Sequence, residues 1–409
     1  MLMNRGVVVL GGGQAACQLV ASLRQMKYDG TLTMIGDEHA LPYQRPPLSK
    51  GFLKGEADIA SISLRTAEFY QKIGCEMRMG VRAVSINRES QIVELENGDS
   101  LGYECLVLAT GARPKTYPGL PIETKNLHYL RTLAHAGQLS ESLSKAKKLA
   151  IIGAGYVGME VAASARQLGV EVSIFETAPR VMLRSVGPQL ASIIQDIHTR
   201  HGVRLNLSAE IKEIKHDALK GSFTIVTGTH GTDDFDLLVI GIGAQANTEL
   251  AVGAGIGCGY GILVDASCRT SDPAVFAIGD CSEQNHPIYG PGFRLESVQN
   301  AVDQAKCAAA AIVGGPQPPP SVPWFWSDQY GHRVQVAGLP RHHDVCVIRE
   351  QTANEGALTN AGSVWYLKDR KVVSVETLDA PKDFMVGRSY IKNNTEVDAE
   401  RLAKEELLA

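Results

Sequence analysis

This 409-residue sequence lacks both a long apolar run and an excess of charge of one sign. Even the apolar run Cys307–Val313 ends at two glycines, far short of the ~20 residues that a membrane-spanning helix needs. A net charge of −4 provides none of the basic surplus typical of nucleic-acid binding. Met1–Arg5 lead straight into Val7–Leu10, without the charged segment, apolar core and cleavage site of a signal peptide. We therefore expect a cytoplasmic protein that binds neither membranes nor nucleic acids.

Closely spaced cysteines are also missing. The sequence has no C-x-x-C pair and no cluster of cysteines at metal-ligand spacing, so no metal site is expected. The eight cysteines are Cys17, Cys75, Cys105, Cys258, Cys268, Cys281, Cys307 and Cys346. An enzyme that reduces disulfides needs two neighbouring cysteines to hold an electron pair, which disfavours that chemistry here.

Strand-like apolar runs followed by glycine recur along the chain. They are Val7–Leu10, Leu106–Ala109, Leu149–Ile152, Leu237–Ile240 and Val275–Ile278. Helix-compatible segments lie between several of them, and this alternation predicts an α/β fold with parallel sheets covered by helices. Residues 314–323 are rich in proline and glycine and are typical of a linker. A smaller α+β domain should follow, with strands near Val334–Val336, Val345–Ile348 and Ser363–Leu367.

A glycine-rich turn follows the first strand. Gly11-Gly12-Gly13-Gln14-Ala15-Ala16 fits G-x-G-x-x-A at a strand-to-helix junction. In such a turn Gly11 permits the tight bend, Gly13 lets the backbone approach a pyrophosphate, and Ala16 keeps the helix close to the strand. The pyrophosphate then lies at a helix N-terminus, where free N–H groups favour anions. Asp37, after the next strand, can bind ribose hydroxyls.

A second copy of this unit begins near residue 149. Gly153-Ala154-Gly155-Tyr156-Val157-Gly158 follows a strand, and the next strand, Val170–Phe175, leads to Glu176. A carboxylate there accepts hydrogen bonds from a ribose 2′-hydroxyl and repels a 2′-phosphate, so Glu176 predicts NADH rather than NADPH. Arg180 and Arg184 lie close enough in sequence to leave NADPH open as a weaker alternative.

A third motif predicts FAD beside NADH. The sequence TSDPAVFAIGD at Thr270–Asp280 resembles the second FAD motif of flavoproteins that contain two dinucleotide folds. Its strand leads to Gly279, which permits close approach, and to Asp280, which can accept a hydrogen bond from a ribitol hydroxyl. Ala109-Thr110-Gly111 and Gly241-Ile242-Gly243 resemble the crossovers between the two cofactor domains of that superfamily.

Three more segments narrow the resemblance to one family. They are LPYQRPPLSK at Leu41–Lys50, YLRT at Tyr129–Thr132 and PWFWSDQY at Pro323–Tyr330. Over essentially the whole chain the sequence closely resembles the NADH-dependent, FAD-containing ferredoxin (redoxin) reductases of oxygenase and cytochrome P450 systems, such as putidaredoxin and rhodocoxin reductases. The resemblance implies two Rossmann-like domains in a glutathione-reductase-like arrangement. It also implies hydride transfer from NADH to FAD and delivery of single electrons to a [2Fe–2S] ferredoxin.

The resemblance further implies the residues of the site. The FAD contacts would be Ala15, Asp37, Lys50, Ala83, Arg131, Asp280 and Val298. Lys50 would stabilise negative charge on the flavin, and Glu160 would pair with Lys50 and orient it or the nicotinamide carboxamide. The sequence departs from the family at Gly12–Gln14, which is richer in glycine, and at Cys17, which replaces a small residue.

The tryptophans of the Pro323–Tyr330 segment are expected to face opposite sides of an extended strand. Trp324 would then pack inward and Trp326 would lie near the flavin. Packing of both between domains is the equal alternative.

We predict three domains from these motifs. Residues 1–113 and 244–318 would bind FAD, residues 114–243 would bind NADH, and residues 319–409 would form an interface domain. Candidates for a basic face that attracts an acidic ferredoxin are Arg65, Arg294, Arg333 and Arg341. An NADH oxidase or a disulfide reductase on the same frame is the alternative enzyme, and a redox protein similar to apoptosis-inducing factor is the alternative outside catalysis.

Overall fold

The computed structural model describes residues 5–286, 290–340, 343–350 and 362–404 of the chain. These residues divide into two units. Unit 1 comprises Met1–Arg45, Ile59–Arg113 and Ala244–Ser321, and unit 2 comprises Pro46–Asp58, Pro114–Gly243 and Val322–Ala409. The bounds of the three predicted domains stay predictions.

The helices and strands are numbered here in chain order. The helices are α1 (Gln14–Gln25), α2 (Ile59–Ile62), α3 (Ala67–Lys72), α4 (Leu133–Leu143), α5 (Tyr156–Gln167), α6 (Pro188–Arg200), α7 (Glu249–Gly253), α8 (Val298–Ile312), α9 (Pro381–Asn393) and α10 (Ala399–Lys404). The strands are β1 (Val7–Leu10), β2 (Leu32–Gly36), β3 (Cys75–Met79), β4 (Ala83–Asn87), β5 (Ile92–Leu95), β6 (Ser100–Gly102), β7 (Cys105–Leu108), β8 (Ala112–Pro114), β9 (Leu127–His128), β10 (Lys148–Ile152), β11 (Glu171–Phe175), β12 (Val203–Asn206), β13 (Ile211–Asp217), β14 (Ser222–Thr227), β15 (Gly231–Phe235), β16 (Leu237–Ile240), β17 (Ala244–Ala246), β18 (Ile262–Val264), β19 (Val275–Ala277), β20 (Ser282–His286), β21 (Gly290–Phe293), β22 (Trp324–Gln329), β23 (His332–Gly338), β24 (Val345–Glu350), β25 (Gly362–Lys368) and β26 (Lys371–Leu378). Within the described ranges, no helix is both long and apolar enough to cross a membrane.

Unit 1 is built on a five-stranded parallel sheet in the order β19-β7-β1-β2-β3. Every residue of β1 and β2 is buried, as expected of parallel strands covered on both faces. On one face, α1 shares a core with the alanine-rich helix α8, where Ala305, Ala308 and Ala309 pack in the same cluster as Leu19 and Leu23 of α1. Small residues let the two helices approach closely. Two three-stranded sheets, β4-β5-β6 and β18-β20-β21, also belong to the unit.

Unit 2 repeats the arrangement with a parallel sheet in the order β12-β11-β10-β16-β9. Helix α5 follows β10 and contributes a continuous buried stretch, Gly158–Ala165. An antiparallel sheet, β13-β14-β15, packs beside it through Phe223 and Ile225, which share a core with Leu238 of β16.

The C-terminal part of unit 2 is an antiparallel sheet in the order β22-β23-β26-β25-β24, covered by α9 and α10. Its core contains Trp365, Val375 and Phe384, all of them buried. The strands predicted around residues 334, 345 and 363 are therefore confirmed. Between Ile312 and Trp324 the structure has no helix or strand, in agreement with the predicted linker.

Candidate functional site

The turn between β1 and α1 requires glycine at its first position. Gly11 has φ +127°, and a Cβ there would lie 2.1 Å from the carbonyl oxygen of Ala109. Gly13 is the N-cap of α1, has no side-chain cap, and a Cβ on it would meet nothing within 4 Å. The first N–H groups of a 12-residue helix therefore face open space, which fits the close approach of a pyrophosphate.

The third motif lies against this turn within unit 1. Strand β19 leads to Gly279, whose φ is +76° and whose Cβ would be 3.2 Å from the Cβ of Ala15. Gly279 N donates to Gln304 Oε1 at 2.7 Å, and Arg294 Nη1 donates to the backbone oxygen of Asp280 at 3.1 Å. The structure thus brings Asp280 close to the start of α1. This placement fits the FAD contact that the sequence predicts there.

The remaining predicted FAD contacts of unit 1 lie in different settings. Asp37 is exposed and forms an ion pair with Arg82 at 3.3 Å. Ala83 is the buried first residue of β4. Val298 begins α8 and is half-buried, directly after Ser297, which caps the helix by accepting from Asn300 N at 3.0 Å. Ala16 is fully buried beneath the turn.

Sequence reasoning missed a neighbouring cluster in unit 1. Arg45 Nη2 lies 2.8 Å from Glu38 Oε1, and the Tyr43 hydroxyl donates to Glu38 Oε2 at 2.6 Å. These residues join the end of β2 to the proline-rich segment. Glu38 follows Asp37 directly, and two consecutive acids give no indication of which cation each one pairs with.

The second turn, in unit 2, is packed more tightly against its helix than the first turn is. Gly153 has φ +103° and its Cβ would lie 2.4 Å from the carbonyl oxygen of Gly241. A Cβ at Gly158 would lie 2.1 Å from the carbonyl oxygen of Gly153, so the helix touches the turn directly. Gly155 is the uncapped N-cap of α5, and a Cβ there would again meet nothing within 4 Å. Unit 2 therefore offers a second helix N-terminus with space for a pyrophosphate.

Glu176 lies across this second turn. Its Oε2 accepts from Ala154 N at 2.7 Å and its Oε1 accepts from Ala178 N at 2.8 Å. Two backbone donors thus fix the carboxylate beside the glycines, which suits an acceptor for ribose hydroxyls. Arg180 donates to the backbone oxygens of Val186 at 2.6 Å and Leu183 at 3.2 Å. Its guanidinium is therefore engaged by its own loop.

Lys50 and Glu160 form a largely buried ion pair within unit 2. Lys50 Nζ lies 2.8 Å from Glu160 Oε1, and the two side chains are 17% and 7% exposed. Ser49 Oγ donates to Glu160 Oε2 at 2.5 Å, and Ser327 Oγ donates to Glu160 Oε1 at 2.6 Å. The pairing of Lys50 with Glu160 was expected from the family resemblance. The contributions of Ser49 and Ser327 were not, because serines far apart in sequence give no signal of a shared acceptor.

The expectation that Trp324 and Trp326 face opposite sides of a strand is wrong. They lie on the same face of β22, with ring centroids 5.3 Å apart, because side chains two residues apart on a strand point the same way. Trp324 also packs edge-on against Phe384 at 5.7 Å. Arg131, another predicted FAD contact, is half-buried just before Thr132, the N-cap of α4. The flavin contacts of Trp326 and Arg131 stay predictions.

The cysteines are all present as free thiols. All eight lie in the described ranges and none is in a disulfide. Cys17, which follows the first turn, is buried, and burial raises the pKa of its thiol, so it is a packing residue rather than a nucleophile. Among the residues that the structure describes, no group of three or more histidine, cysteine or acidic side chains could hold a metal ion.

Comparisons with known proteins agree with this geometry. Residues 5–305 match the family model described as pyridine nucleotide-disulphide oxidoreductase, and residues 324–407 match the model described as reductase C-terminal. The chain is 38% identical to rhodocoxin reductase from Rhodococcus erythropolis, over 97% of this chain and 92% of that protein.

Solved structures agree as well. The crystal structure of the ferredoxin reductase for the CYP199A2 system from Rhodopseudomonas palustris has a TM-score of 0.92 at 38% identity and covers 98% of both chains. The covalent putidaredoxin reductase–putidaredoxin complex has a TM-score of 0.92 at 32% identity, over 99% of this chain and 97% of that one. The predicted fold class, two Rossmann-like domains with a smaller C-terminal domain, is confirmed. The chain belongs to the pyridine nucleotide-disulphide oxidoreductase family and, within it, to the FAD-containing, NADH-dependent ferredoxin reductases.

Proposed function

We propose that this protein takes hydride from NADH onto FAD and passes the electrons one at a time to a [2Fe–2S] ferredoxin that serves an oxygenase such as a cytochrome P450. The observation that carries the proposal is the presence of two complete dinucleotide turns, one in each unit, in a chain similar over its full length to ferredoxin reductases. Bound FAD would accept two electrons together and release them singly, which is the chemistry that joins NADH to a one-electron carrier.

The chain's own contribution is to bind, orient and stabilise charge. The first turn and Asp280 would hold FAD, and the second turn and Glu176 would hold NADH. Lys50 would place an ammonium near the flavin, where a fixed positive charge stabilises the negative charge that hydride transfer brings. Glu160 would orient that ammonium through the 2.8 Å ion pair.

A preference for NADH follows from the loop after β11. Glu176 is fixed across the second turn, where it would repel a 2′-phosphate. Arg180, the cation closest to it in sequence, is bound to backbone oxygens of its own loop. The fixed position of Glu176 and the engagement of Arg180 therefore support NADH over NADPH.

The acceptor is proposed to be an acidic [2Fe–2S] ferredoxin drawn to local positive charge. Arg65 is exposed, whereas Arg294 pairs with Glu296 at 2.6 Å and Arg333 pairs with Asp328 at 2.7 Å. Arg341 lies outside the described residues. Among the described candidates, Arg65 has the positive charge that is least offset by an acidic partner. It is therefore the first residue to test. We also propose a cytoplasmic location, since eight unpaired cysteines suit a reducing compartment.

A cytochrome c reduction assay tests the function directly. Purified protein reconstituted with FAD is supplied with NADH, and candidate [2Fe–2S] proteins are added one at a time. We expect one of them to raise cytochrome c reduction far above the rate without ferredoxin, and to do so less well as salt increases, because the Debye length shrinks from ~10 Å at 0.1 M to ~3 Å at 1 M.

The same assay separates the alternatives. Oxygen consumption that no ferredoxin diverts would indicate an NADH oxidase. NADH-dependent reduction of small disulfides would indicate a disulfide reductase. Slow reduction without turnover on any acceptor would favour a redox-sensing protein.

A further inference from the structure

A line of hydrogen bonds leads from the Lys50–Glu160 ion pair to a buried histidine on α6. Ser327 Oγ donates to Glu160 Oε1 at 2.6 Å, and Gln329 Nε2 donates to Ser327 Oγ at 2.9 Å. Gln329 Oε1 lies 2.8 Å from His198 Nε2. Ser327, Gln329 and His198 are 0%, 4% and 0% exposed, so their links are shielded from water. We call these three residues the support chain.

The hydrogen bonds of the support chain can be donated in only one direction. The carboxylate of Glu160, paired with Lys50, can only accept, so the hydroxyl of Ser327 must donate to it. The Ser327 oxygen then accepts from the amide nitrogen of Gln329, which turns the amide oxygen toward His198. That oxygen requires a proton on Nε2 of the imidazole. Every donor in the line therefore points toward Glu160, and donors aligned in series polarise one another.

His198 is suited to end this line as a neutral donor. Its Nδ1 is buried and has no hydrogen-bond partner among the described residues, as expected of the unprotonated ring nitrogen. Burial lowers the pKa of His198 to about 4, against the smaller opposing effect of the hydrogen bond with Gln329. At neutral pH the imidazole therefore adds no second positive charge that would compete with Lys50 for the carboxylate.

Packing alone does not account for polar residues at these positions. Ser327 is paired in the sheet with Val334 of β23, and its neighbour on the same face, Phe325, is paired with Val336. Both valines are buried. A hydroxyl and an amide at such depth cost free energy unless every polar atom is paired, and apolar residues of similar volume would avoid that cost. The polar pair occurs where the strand meets the Glu160 carboxylate.

We propose that Ser327, Gln329 and His198 are positioning residues that hold the Glu160 carboxylate, and through it the Lys50 ammonium, in a single orientation. The proposal rests on the proposed role of Lys50 at the flavin. Lys50 carries its charge on a flexible four-carbon stem, so its position depends on what its ammonium binds. A charge that is held in place needs no rearrangement when negative charge develops beside it.

This assignment changes the role of the C-terminal sheet. Ser327 and Gln329 belong to β22, in the part of the chain that matches the reductase C-terminal model. Glu160 belongs to α5, in the part that matches the oxidoreductase model. The C-terminal sheet would therefore act on the acceptance of hydride, in addition to any contact with a partner.

The proposal is tested in the full-length, FAD-loaded protein with matched serine variants. Ser327→Ala removes the donor to Glu160. Ser374→Ala removes an equally buried hydroxyl from the same sheet, one that donates to the Ala337 backbone oxygen at 2.9 Å and has no link to the support chain. We expect Ser327→Ala and Gln329→Leu to slow the limiting rate of flavin reduction by NADH about five- to tenfold, the effect of losing one typical hydrogen bond, with little change in the KM for NADH.

Two further measurements complete this comparison. The flavin midpoint potential should fall in both variants, by about 30 mV for a tenfold change in the two-electron equilibrium. Ser327→Thr keeps the hydroxyl and should restore rate and potential. Ser374→Ala should lower the melting temperature without moving either quantity.

The tautomer of His198 provides a readout that does not depend on turnover. With ¹⁵N-labelled histidine, and with His198→Gln to assign the signal, we expect the proton on Nε2 and a bare Nδ1 throughout the neutral pH range. A proton on Nδ1 would reverse the direction of the support chain and overturn the proposal.

The remaining outcomes are distinct. If Ser327→Ala and Ser374→Ala lose stability alike while rate and potential keep their wild-type values, the support chain is structural only and the proposal is overturned. If NADH does not reduce the flavin of the wild-type protein, the proposed function fails instead, and the His198 tautomer still decides the direction of the chain.

Discussion

The two glycine turns of this chain have similar backbone conformations but differ in how much space they leave between turn and helix. In both, the first glycine has a positive φ and lies against a carbonyl oxygen, that of Ala109 in unit 1 and that of Gly241 in unit 2. At the last motif position the first turn has Ala16, whereas a Cβ at Gly158 in the second would lie 2.1 Å from a backbone oxygen. The second helix is therefore closer to its turn.

The acids that follow the two turns also differ. Asp37 is exposed and paired with Arg82, but Glu176 accepts two backbone N–H groups beside its glycines. A carboxylate fixed by backbone donors discriminates between ligands better than an exposed one paired with a long side chain. We infer that the second turn is built to select its dinucleotide, and that the first relies on further contacts, such as Asp280, to retain its own.

The largest expected effect comes from substitutions at the last glycine-motif position, where the packing of the two turns differs. Gly158→Ala forces a methyl group against a backbone oxygen and should lower the free energy of unfolding by about 3 kcal/mol. The reciprocal change, Ala16→Gly, should cost only about 1 kcal/mol, because it removes one methyl group and adds backbone freedom. Denaturant unfolding of the two variants measures both values, and equal losses would show that the turns are packed alike.

A second pair of variants fills the space above each helix. A Cβ at Gly13 or Gly155 would meet nothing within 4 Å, so alanine there should lower the free energy of unfolding of the cofactor-free protein only slightly, by about 0.5 kcal/mol, because glycine is the better N-cap. We expect Gly13→Ala to weaken FAD binding about thirtyfold and Gly155→Ala to raise the Kd for NADH by a similar factor, since ~2 kcal/mol is lost when the backbone cannot approach a phosphate. Titrations of both variants with FAD and with NADH show which cofactor each turn binds. If Gly13→Ala weakened NADH binding and Gly155→Ala weakened FAD binding, the assignment of cofactors to the two turns would be reversed.

Substitution of the acid that follows each turn should have a smaller effect. Glu176→Ala should lower kcat/KM for NADH and raise it for NADPH, narrowing their ratio about tenfold. Asp37→Ala should weaken FAD binding only about threefold, since Asp37 is exposed and shares its charge with Arg82. A wild-type enzyme that uses NADH and NADPH equally would contradict the role of Glu176.

The smallest expected effect concerns Gly187, at the end of the loop that follows β11. Glu376 accepts from Gly187 N at 2.8 Å, and burial raises the pKa of this carboxyl to about 7. Because the folded protein then holds a proton that the unfolded chain releases near pH 4.5, the stability that Glu376 contributes is lost as pH rises through 7. Between pH 6 and 8 the loss is about 1 kcal/mol.

Glu376→Gln should remove this loss. The free energy of unfolding is compared between variant and wild type at each pH, because two histidines have the opposite pH dependence. Burial lowers the pKa of His128 and of His198 to about 4, so both reduce the stability of the folded protein as pH falls below 6.5. Identical pH profiles for variant and wild type would show that Glu376 does not titrate in this range.

Local motifs accounted for most of what the sequence predicted. Both glycine turns, the strands that lead to them and Gly279 were found because each depends on residues adjacent in sequence and on backbone geometry that only certain residues adopt. The resemblance that covers the whole chain supplied Lys50 and Glu160, which lie 2.8 Å apart in the structure. The error over Trp324 and Trp326 came from miscounting the two-residue period of a strand, and correct counting would have avoided it.

By itself, the amino-acid sequence determined the fold class, the two dinucleotide turns and the family, since apolar periodicity and glycines at fixed spacing are local properties that sequence records directly. Only the tertiary structure decided which polar groups meet. Ser49 and Ser327 reach one carboxylate from positions 111 and 167 residues away from it along the chain. Whether Arg180 is free or engaged, and which nitrogen of His198 donates, likewise depend on how separate elements pack. Such contacts arise because buried polar groups must find partners wherever the fold places them, and sequence spacing carries no record of that placement.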